Sequence, residues 1–415
     1  MSEISLENVL QAAEVLKAVA RKTDMIYAPK LSASAQVYLK TENLQVTGSF
    51  KVRGAYYKIS KLTREELSRG VIACSAGNHA QGVALAAQQR GAKAIICMPD
   101  IAPIAKIEAT RSYGADVVLV SGSYDEASAY AEKLCRERGM TFVHPFDDPD
   151  VIAGQGTIGL EILEQMPDVD AVLVPVGGGG LISGLAYAIK QRKPSCKVYG
   201  VEASEAASMK RSIEAKSKLT LPSANTFADG IAVKHPGDLT YELIRRYVDG
   251  IVTVSEDEIA AAILFLIEQR KLVCEGAGAV SVAAVIFDRI PELRGKKVCC
   301  LLSGGNIDVN ILSRVIYRGL QASGRRSEIR LSLPDKPGQL AAVAEIISSC
   351  GGNVIGVNYG PSSMDTALAS CVLNLQLETR DFAQIAHVHT ALEAAGYRLL
   401  KTEDDAVSAS SKRCI

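Results

Sequence analysis

An apolar run followed by four glycines lies near the middle of the chain: Ala171-Val172-Leu173-Val174-Pro175-Val176-Gly177-Gly178-Gly179-Gly180-Leu181. The apolar run is typical of a parallel strand that is buried on both faces, and residues Leu181 to Ile189 have the apolar spacing of a helix. Glycines between a strand and a helix let backbone N–H groups approach a phosphate, and the helix dipole favours its negative charge. The stretch therefore predicts an α/β fold with an anion site at this junction. A plain flexible turn is the simpler alternative.

Two known glycine motifs describe this junction poorly. No Gly-Lys-Ser/Thr follows, so the stretch is not a Walker loop. A dinucleotide fingerprint places an acidic residue about twenty positions later, at the end of a strand. Glu202 lies close enough to that position to keep dinucleotide binding open as an alternative.

Two further polar segments that contain glycine also follow predicted strands. Ser75-Ala76-Gly77-Asn78-His79-Ala80-Gln81-Gly82 comes after Val71–Cys74, and Ser303-Gly304-Gly305-Asn306 comes after Val298–Leu302. Ligands of open α/β sheets gather at the carboxyl ends of strands, so three such segments predict one binding site. Taken alone, an asparagine at a helix start such as Asn78 is more often a cap than a ligand-binding residue.

A lysine in the segment Ser49-Phe50-Lys51-Val52-Arg53-Gly54-Ala55 adds a candidate nucleophile. A desolvated lysine amine can bond covalently to an aldehyde cofactor, and Phe50 would provide an apolar wall beside it. On its own, a lysine between a strand and a helix is usually a solvated surface residue. The other three segments favour a role in chemistry.

These four ordered motifs resemble those of the serine/threonine dehydratase family, which are pyridoxal phosphate enzymes of fold type II. The resemblance extends from about residue 5 to about residue 320. It implies an α/β fold of two lobes, built from open twisted sheets with helices on both faces, and pyridoxal 5'-phosphate as the cofactor.

The resemblance also implies roles for individual residues. Lys51 would be the lysine that forms the Schiff base, with Phe50 against the cofactor. Asn78 would bond the ring hydroxyl and Ser303 the ring nitrogen. The phosphate would lie on Gly177, Gly178, Gly179, Gly180 and Leu181. The substrate, a small amino acid, would contact Ser75, Ala76, Gly77 and His79.

The implied reaction is β-elimination, which converts L-threonine to 2-oxobutanoate and ammonia, and L-serine to pyruvate. Lys51 would take the Cα proton as general base. A neutral Ser303 at the ring nitrogen favours rapid loss of the β-hydroxyl over a long-lived carbanion. The alternatives are a lyase for serine or 3-hydroxyaspartate, a serine racemase, and a sensor of amino acids without catalysis. Racemases of the family carry a second serine where this chain has Ala76, and alanine cannot move a proton.

A metal site is left unassigned. Relatives that bind a divalent metal use a glutamate, a carbonyl four residues later and an aspartate two residues further on. Glu202 and Ala206 fit this pattern, but Ser208 replaces the aspartate. A serine hydroxyl is a poorer ligand for a hard cation than a carboxylate is.

Composition places the chain among soluble globular proteins with a sizeable core. It has 415 residues, 48% of them hydrophobic, and a formal net charge of zero. Basic residues are dispersed, so nucleic acid is not an expected partner. No apolar run is long enough to span a membrane. The ten cysteines lack metal-binding spacing, and several lie in apolar runs as small hydrophobes, which favours a reducing cytoplasm.

The chain divides into a catalytic segment, residues 1–323, and a smaller C-terminal one. The catalytic segment would contain a small lobe at about residues 70–146, a first helix from Leu6 to Ala20 and a helix from Gly156 to Gln165. A polar linker is predicted at residues 324–327. Residues 403–415 would form a disordered tail.

The segment 328–402 has the predicted element order βαββαβ of a ferredoxin-like sandwich. It resembles an ACT domain, a family that binds amino acids at subunit interfaces. The turn at Pro337 and Gly338 matches that family's ligand loop, so an aliphatic amino-acid effector and a homo-oligomer, a dimer or tetramer, are expected. The alternative is a domain that serves only assembly.

Overall fold

The computed structural model describes residues 4–361 and 370–400. The chain forms two compact units, one up to Ile311 and one from Leu312 onward. The helices of the first unit are α1 (Leu6–Leu16), α2 (Lys51–Ser60), α3 (Arg64–Arg69), α4 (Asn78–Gln89), α5 (Ile104–Ser112), α6 (Tyr124–Arg138), α7 (Pro149–Gln165), α8 (Gly180–Arg192), α9 (Ser208–Glu214), α10 (Asp238–Tyr247), α11 (Glu256–Phe265) and α12 (Gly276–Ile286). Its strands are β1 (Met25–Tyr27), β2 (Gln36–Lys40), β3 (Val71–Cys74), β4 (Ala94–Pro99), β5 (Asp116–Val120), β6 (Thr141–Phe142), β7 (Ala171–Pro175), β8 (Lys197–Ala203), β9 (Gly250–Val254) and β10 (Lys297–Leu301).

The larger sheet of the first unit has the strand order β1-β2-β10-β7-β8-β9. All neighbours are parallel except β1, which pairs with β2 in the antiparallel sense. Strand β7 is apolar and buried throughout, and β10 is so after its first residue, Lys297, as predicted for strands covered on both faces. Their carboxyl ends carry the glycine run and Ser303.

The smaller sheet has the order β5-β4-β3-β6, with every pair parallel. Alternate residues of β3 face opposite sides: Ala73 packs with the helices α2 and α4, and Ile72 packs with α6. Helices therefore cover both faces, which confirms the predicted fold class of open sheets between helices.

A network of four charges joins β2, α2 and α7, in which Lys40, Glu42 and Arg53 are buried and Glu161 is half-buried. Lys40 lies 2.6 Å from Glu161, and Arg53 lies 2.8 Å from Glu42 and 2.6 Å from Glu161. Burial raises the pKa of Glu42, but the charge of Arg53 and its hydrogen bond outweigh that effect, and the pKa ends below its usual value. The network fixes α2, the helix that begins with Lys51.

Two predicted helix boundaries were wrong. Helix α7 begins at Pro149 rather than at residue 156, because the Asp148 side chain caps it by accepting the N–H groups of Asp150 and Val151. Helix α1 ends at Leu16 instead of Ala20, because the backbone leaves the helix there in a tight turn whose N–H groups bond back to the Leu16 carbonyl.

The second unit contains most of α13 (Val309–Ala322) and all of β11 (Arg326–Pro334), α14 (Gln339–Ser349), β12 (Asn353–Pro361), β13 (Ser370–Glu378), α15 (Phe382–Ala394) and β14 (Arg398–Leu400). The antiparallel strand order β12-β13-β11-β14 encloses a core with the two helices α14 and α15, built from residues such as Leu331, Leu373, Val343 and Val388. This arrangement confirms the predicted βαββαβ order.

The predicted linker 324–327 is partly wrong. Strand β11 begins at Arg326, which pairs with Glu378 across the sheet. The Arg326 guanidinium also lies 4.3 Å from the centre of the Tyr317 ring on α13. Most of α13 belongs to the second unit, whereas the predicted boundary at 323 would leave it with the first. The tail predicted at 403–415 lies outside the described residues.

The described part of the chain contains no helix that is both long and apolar enough to cross a membrane. Nine cysteines lie in that part, and all of them are free thiols.

Candidate active site

A cavity of about 660 Å³ lies in the first unit, at the segments that follow β3, β7 and β10 and at the start of α2. Every predicted catalytic, cofactor and substrate residue lines it: Phe50, Lys51, Ser75, Ala76, Gly77, Asn78, His79, Gly177, Gly178, Gly179, Gly180, Leu181 and Ser303. The predicted effector residues Pro337 and Gly338 lie in the second unit. Segments distant in sequence are thus brought to one place.

Lys51 is the first residue of α2, and its Nζ donates a hydrogen bond to the carbonyl oxygen of Pro145 at 2.7 Å. Burial lowers the pKa of Lys51 to about 8, against the opposing charge of Glu275. The backbone N–H of Phe50 donates to the Ser303 carbonyl at 3.1 Å, which ties this segment to the end of β10. The amine is therefore held in place and is more readily deprotonated than a surface lysine.

The glycine run has a shape that excludes side chains. A Cβ on Gly178 would lie 2.3 Å from the ring of Phe146, and Gly179 has a φ of +95°. The hydroxyl of Thr240 donates to the Gly178 carbonyl at 2.7 Å, which holds the loop. The N–H groups in the first turn of α8 have no partner within the helix. A narrow glycine loop at a helix N-terminus fits a phosphate, and the desolvated Lys51 on the same cavity fits an aldehyde.

Asn78 is not a helix cap. Gly77 occupies the cap position of α4, and Asn78 is the first helical residue. Its Nδ2 donates to Glu275 Oε1 at 2.6 Å, and its Oδ1 accepts from Asn306 Nδ2 at 2.8 Å. The side chain is therefore part of a polar network at the cavity wall.

Ser75 and His79 are held by local hydrogen bonds. The Ser75 hydroxyl accepts the N–H of Gly77 at 3.2 Å. His79 Nε2 lies 2.8 Å from the carbonyl of Val143, and a carbonyl can only accept, so this nitrogen carries the proton. Burial, with the nearby charge of Lys51, lowers the pKa of His79 to about 3. A neutral imidazole is thus the form at physiological pH, which makes His79 a poor proton donor.

The sequence interpretation missed Glu275, a fully buried carboxyl on the cavity wall. Burial raises its pKa to about 7, and the charge of Asp229 adds to the effect, while the hydrogen bond from Asn78 opposes it. Its one sequence signal was a lone acid between an apolar run and the glycine-rich start of α12, Leu272-Val273-Cys274-Glu275-Gly276-Ala277-Gly278. The roles of Pro145 and Asn306 were also missed, because both depend on contacts distant in sequence.

The possible metal site at Glu202 has no cluster of ligands around it. The Glu202 carboxylate accepts the backbone N–H groups of Met209 and Lys210 at 2.9 and 2.8 Å, so it caps α9. The buried hydroxyl of Ser208 has no hydrogen-bond partner. Across the described residues, no three His, Cys, Asp or Glu side chains are placed to hold a metal.

The predicted effector loop forms a turn before α14. Gly338 has a φ of +87° and stands at the N-cap of that helix. This conformation favours glycine.

The model of one protein family, described as "Pyridoxal-phosphate dependent enzyme", matches residues 16–304. An L-threonine ammonia-lyase from Thermotoga maritima is 50% identical over 398 residues, which are 95% of this chain and 99% of that relative. Among solved structures, the processed form of threonine deaminase isoform 2 from Solanum lycopersicum is 42% identical with a TM-score of 0.72, over 75% of this chain and 88% of that one. Maize serine racemase is 34% identical with a TM-score of 0.73, over 77% of this chain and 99% of that one.

Proposed function

Because the chain belongs to the family of pyridoxal-phosphate dependent enzymes, we propose that it is a threonine ammonia-lyase. The net reaction converts L-threonine to 2-oxobutanoate and ammonia, since the water lost in the elimination is regained when the released enamine hydrolyses. Pyridoxal phosphate, when bound, supplies an aldehyde for amines and a conjugated ring that takes up the electron pair left at Cα. The relative from Thermotoga maritima, named for this activity, matches 95% of the chain.

The observation that carries this proposal is the position of Lys51. Its side chain is half-buried, and its amine donates to the Pro145 carbonyl and lies on the same cavity as the glycine run. A pKa of about 8 leaves a useful neutral fraction at physiological pH, so the amine can accept a proton from the substrate's Cα. Gly177 to Leu181 would hold the phosphate, and Asn78 and Ser303 would hold the ring.

The other cavity residues favour elimination over racemisation. Racemisation needs a second proton-moving group on the face of Cα opposite the lysine. At the racemase position the chain has Ala76, which lines the cavity and cannot move a proton. His79 is held neutral and bonded to the Val143 carbonyl, so it does not fill that role. The racemase from maize also has lower identity, 34%, than the lyase from Thermotoga maritima.

L-Serine is a second candidate substrate, because it offers the same β-hydroxyl without the methyl group. The cavity, at about 660 Å³, excludes neither amino acid by volume. Comparing turnover of the two amino acids, and assaying D-serine, separates a threonine lyase, a serine lyase and a racemase.

The first prediction concerns Lys51. Lys51→Ala and Lys51→Arg should both lose threonine-dependent 2-oxobutanoate formation, because alanine has no amine and a guanidinium remains protonated. The matched control is Lys61→Ala at the end of the same helix, where the side chain is 40% exposed and pairs with Asp150. Formation of 2-oxobutanoate is measured for each purified variant beside its thermal unfolding.

Two outcomes would contradict this assignment. If Lys51→Ala retains more than a trace of activity, Lys51 is not the base. If the unmodified protein binds threonine and shows the cofactor's visible absorbance but forms no oxoacid, the chain is a sensor of amino acids.

Regulation, assembly and location are also part of the proposal. An aliphatic amino acid, isoleucine or valine, would bind at Pro337 and Gly338 in a homo-oligomer, where the open left-handed turn before α14 exposes backbone N–H groups. The buried free thiols, Cys74, Cys97, Cys299 and Cys300 among them, favour a reducing cytoplasm.

A further inference from the structure

We propose that Glu275 and Asn306 lock the amide of Asn78 with its nitrogen on the cavity side, which makes Glu275 a positioning residue for cofactor binding. This inference rests on the proposed function, because the ligand it positions is the cofactor ring. The side chains of Glu275, Asn78 and Asn306 form this lock by sharing their hydrogen-bond donors and acceptors.

The Thr47 carbonyl lies at one end of this network and the Glu275 carboxylate at the other, and both accept hydrogen bonds. Asn306 Nδ2 donates to the Thr47 carbonyl at 2.8 Å and to Asn78 Oδ1 at 2.8 Å. A carbonyl cannot donate, so the nitrogen of Asn306 must face Thr47 and Asn78. The oxygen of Asn78 must then face Asn306, and its nitrogen must face Glu275 at 2.6 Å. An ionised Glu275 only accepts, which requires the same orientation from the other end.

The residues that line the cavity show which end of the Asn78 amide faces it. Glu275 and Asn78 line the cavity, whereas Asn306 does not. The Asn78 oxygen is therefore turned to a residue behind the wall, and its nitrogen lies on the cavity side. An amide nitrogen carries two N–H groups, and Glu275 uses one. The second is available to a ligand that accepts hydrogen bonds, such as an oxygen on a cofactor ring.

The carboxylate of Glu275 is itself fixed by the backbone. The Glu275 N–H donates to the Gly304 carbonyl at 3.1 Å, and a Cβ on Gly304 would lie 2.4 Å from Glu275 Oε1. A glycine at 304 is thus required for the carboxylate to occupy this place. The same segment ends in Asn306, so the loop after β10 supplies both the partner of Asn78 and the space for Glu275.

The strength of the hydrogen bond at the Glu275 end of the lock depends on the charge of Glu275. The charged groups that act on it are Asp229, which disfavours ionisation, and Lys106 and Lys51, which favour it. The adjacent Cys274 thiol has a pKa raised by burial and by Glu275, so it stays neutral. With the pKa of Glu275 near 7, the carboxylate only accepts above that pH, and below it gains an O–H that can donate. The Thr47 carbonyl fixes the orientation of Asn78 at any pH, and the hydrogen bond from Asn78 to Glu275 is strongest on the alkaline side, where the carboxylate is ionised.

The test uses Glu275→Gln in the full chain, with Glu202→Gln as the matched control. Glu202 is also a buried carboxyl of the first unit, its pKa is raised to about 8, and it does not line the cavity. The readouts are the dissociation constant for pyridoxal phosphate and the pH dependence of the visible absorbance between pH 5.5 and 9, ranges chosen to bracket a pKa of about 7. Neither readout depends on which amino acid is the substrate, so the lock and the proposed activity can fail separately.

We expect the unmodified protein to show a spectral transition near pH 7 that Glu275→Gln lacks and Glu202→Gln keeps. Cofactor binding at pH 8 should weaken roughly tenfold in Glu275→Gln, as for loss of a charge-assisted hydrogen bond. The same transition in Glu275→Gln, with unchanged affinity, would overturn the proposal.

Asn306→Ala tests the other end of the lock if Glu275→Gln does not fold. It should also weaken cofactor binding and shift the visible absorbance, because Asn78 loses the donor that holds its oxygen. Its thermal unfolding, measured without cofactor, separates this effect from a general loss of structure. A folded Asn306→Ala with unaltered affinity and spectrum would contradict the lock.

Discussion

Lys51 is charged in an unfolded chain at neutral pH, yet the fold holds it half-buried, with its amine next to a backbone carbonyl. Burial lowers its pKa from 10.5 to about 8, so a larger fraction of the amine is neutral in the folded protein than in the unfolded chain. The protonated form is the one penalised, and the penalty is present below pH 8 and disappears as the pH rises from 8 to 10.5. Burial of Lys51 therefore lowers the stability of the fold at neutral pH, and the same burial makes the amine more reactive.

The second prediction follows from this pKa. For protein freed of cofactor, the rate at which pyridoxal phosphate restores the visible absorbance should rise with pH, with a midpoint near 8. The physical reason is that the neutral amine, and not the ammonium, reacts with an aldehyde. Stopped-flow absorbance from pH 6 to 10 measures it, and Lys51→Ala reports the background from other lysines. A midpoint at the ordinary lysine value would show that Lys51 is not desolvated.

Some residues of the candidate site could be predicted from the sequence and others could not. Lys51, the glycines and Ser303 could be named because each belongs to a short local pattern. Glu275 could not, because its partner Asn78 lies 197 positions away in sequence. The role of a buried carboxyl depends on the atoms around it, and the fold determines which atoms those are.

Among the elements, the junction between β7 and α8 leaves no room for a side chain at residue 178. The ring of Phe146 fills the space where a side chain at 178 would point. The sequence predicted this junction because strand, glycines and helix are contiguous. It did not predict that Phe146, from the segment before α7, closes the loop from the other side.

The third prediction is that Gly178→Ala weakens cofactor binding and lowers the free energy of unfolding by about 1–3 kcal/mol, as for overpacking. The new methyl group would lie 2.3 Å from the Phe146 ring, so the ring or the loop must shift. Gly250→Ala is the control, because its Cβ would make an ordinary contact of 3.4 Å with Tyr199. Chemical denaturation and cofactor titration measure the two effects. If the two variants have the same free energy of unfolding and the same cofactor affinity, the loop accommodates the methyl group without loss of stability.

Polar segments explain the element boundaries that were misplaced. Residues 323–327 lack apolar side chains and so look like a linker, yet Arg326 and Ser327 pair with Glu378 and Leu377 in the sheet. Backbone pairing at the end of a strand does not require apolar side chains. At the start of α7, the sequence does contain a local signal, because Asp148 caps the helix and Pro149 is its first residue.

On the scale of the whole molecule, the chain joins a unit with the cavity to a ferredoxin-like unit. The predicted class, element order and division into two parts could be derived from periodicity and turn residues. The place of the boundary could not, because α13 is amphipathic and would suit either unit. The structure groups most of α13 with the second unit.

The fourth prediction concerns coupling between the two units. An effector changes activity only if it binds one state of the protein more tightly than another. Isoleucine or valine should shift the apparent affinity for threonine roughly 5- to 150-fold, a coupling of about 1–3 kcal/mol. Saturation curves for threonine with and without each amino acid measure the shift, and calorimetry measures binding.

Two truncated forms are the controls for this coupling. Chains that end after Ile311 or after Ser323 should both lose the response to isoleucine and valine. The longer form keeps α13 without β11, which carries the Glu328 partner of the Tyr317 hydroxyl, so it should be less soluble. If the full chain ignores every aliphatic amino acid and calorimetry detects no binding, the second unit serves assembly alone.

The network of four charges around α2 also restricts how this sequence can change over generations. Losing any one of Lys40, Glu42, Arg53 or Glu161 leaves an uncompensated charge in the interior, which is strongly destabilising. Replacing the whole set with apolar residues of similar volume need not be. Each single substitution on the way from one solution to the other therefore gives a destabilised protein. The four positions are therefore expected to be inherited as a block, and lineages that lost the network would have had to replace it together.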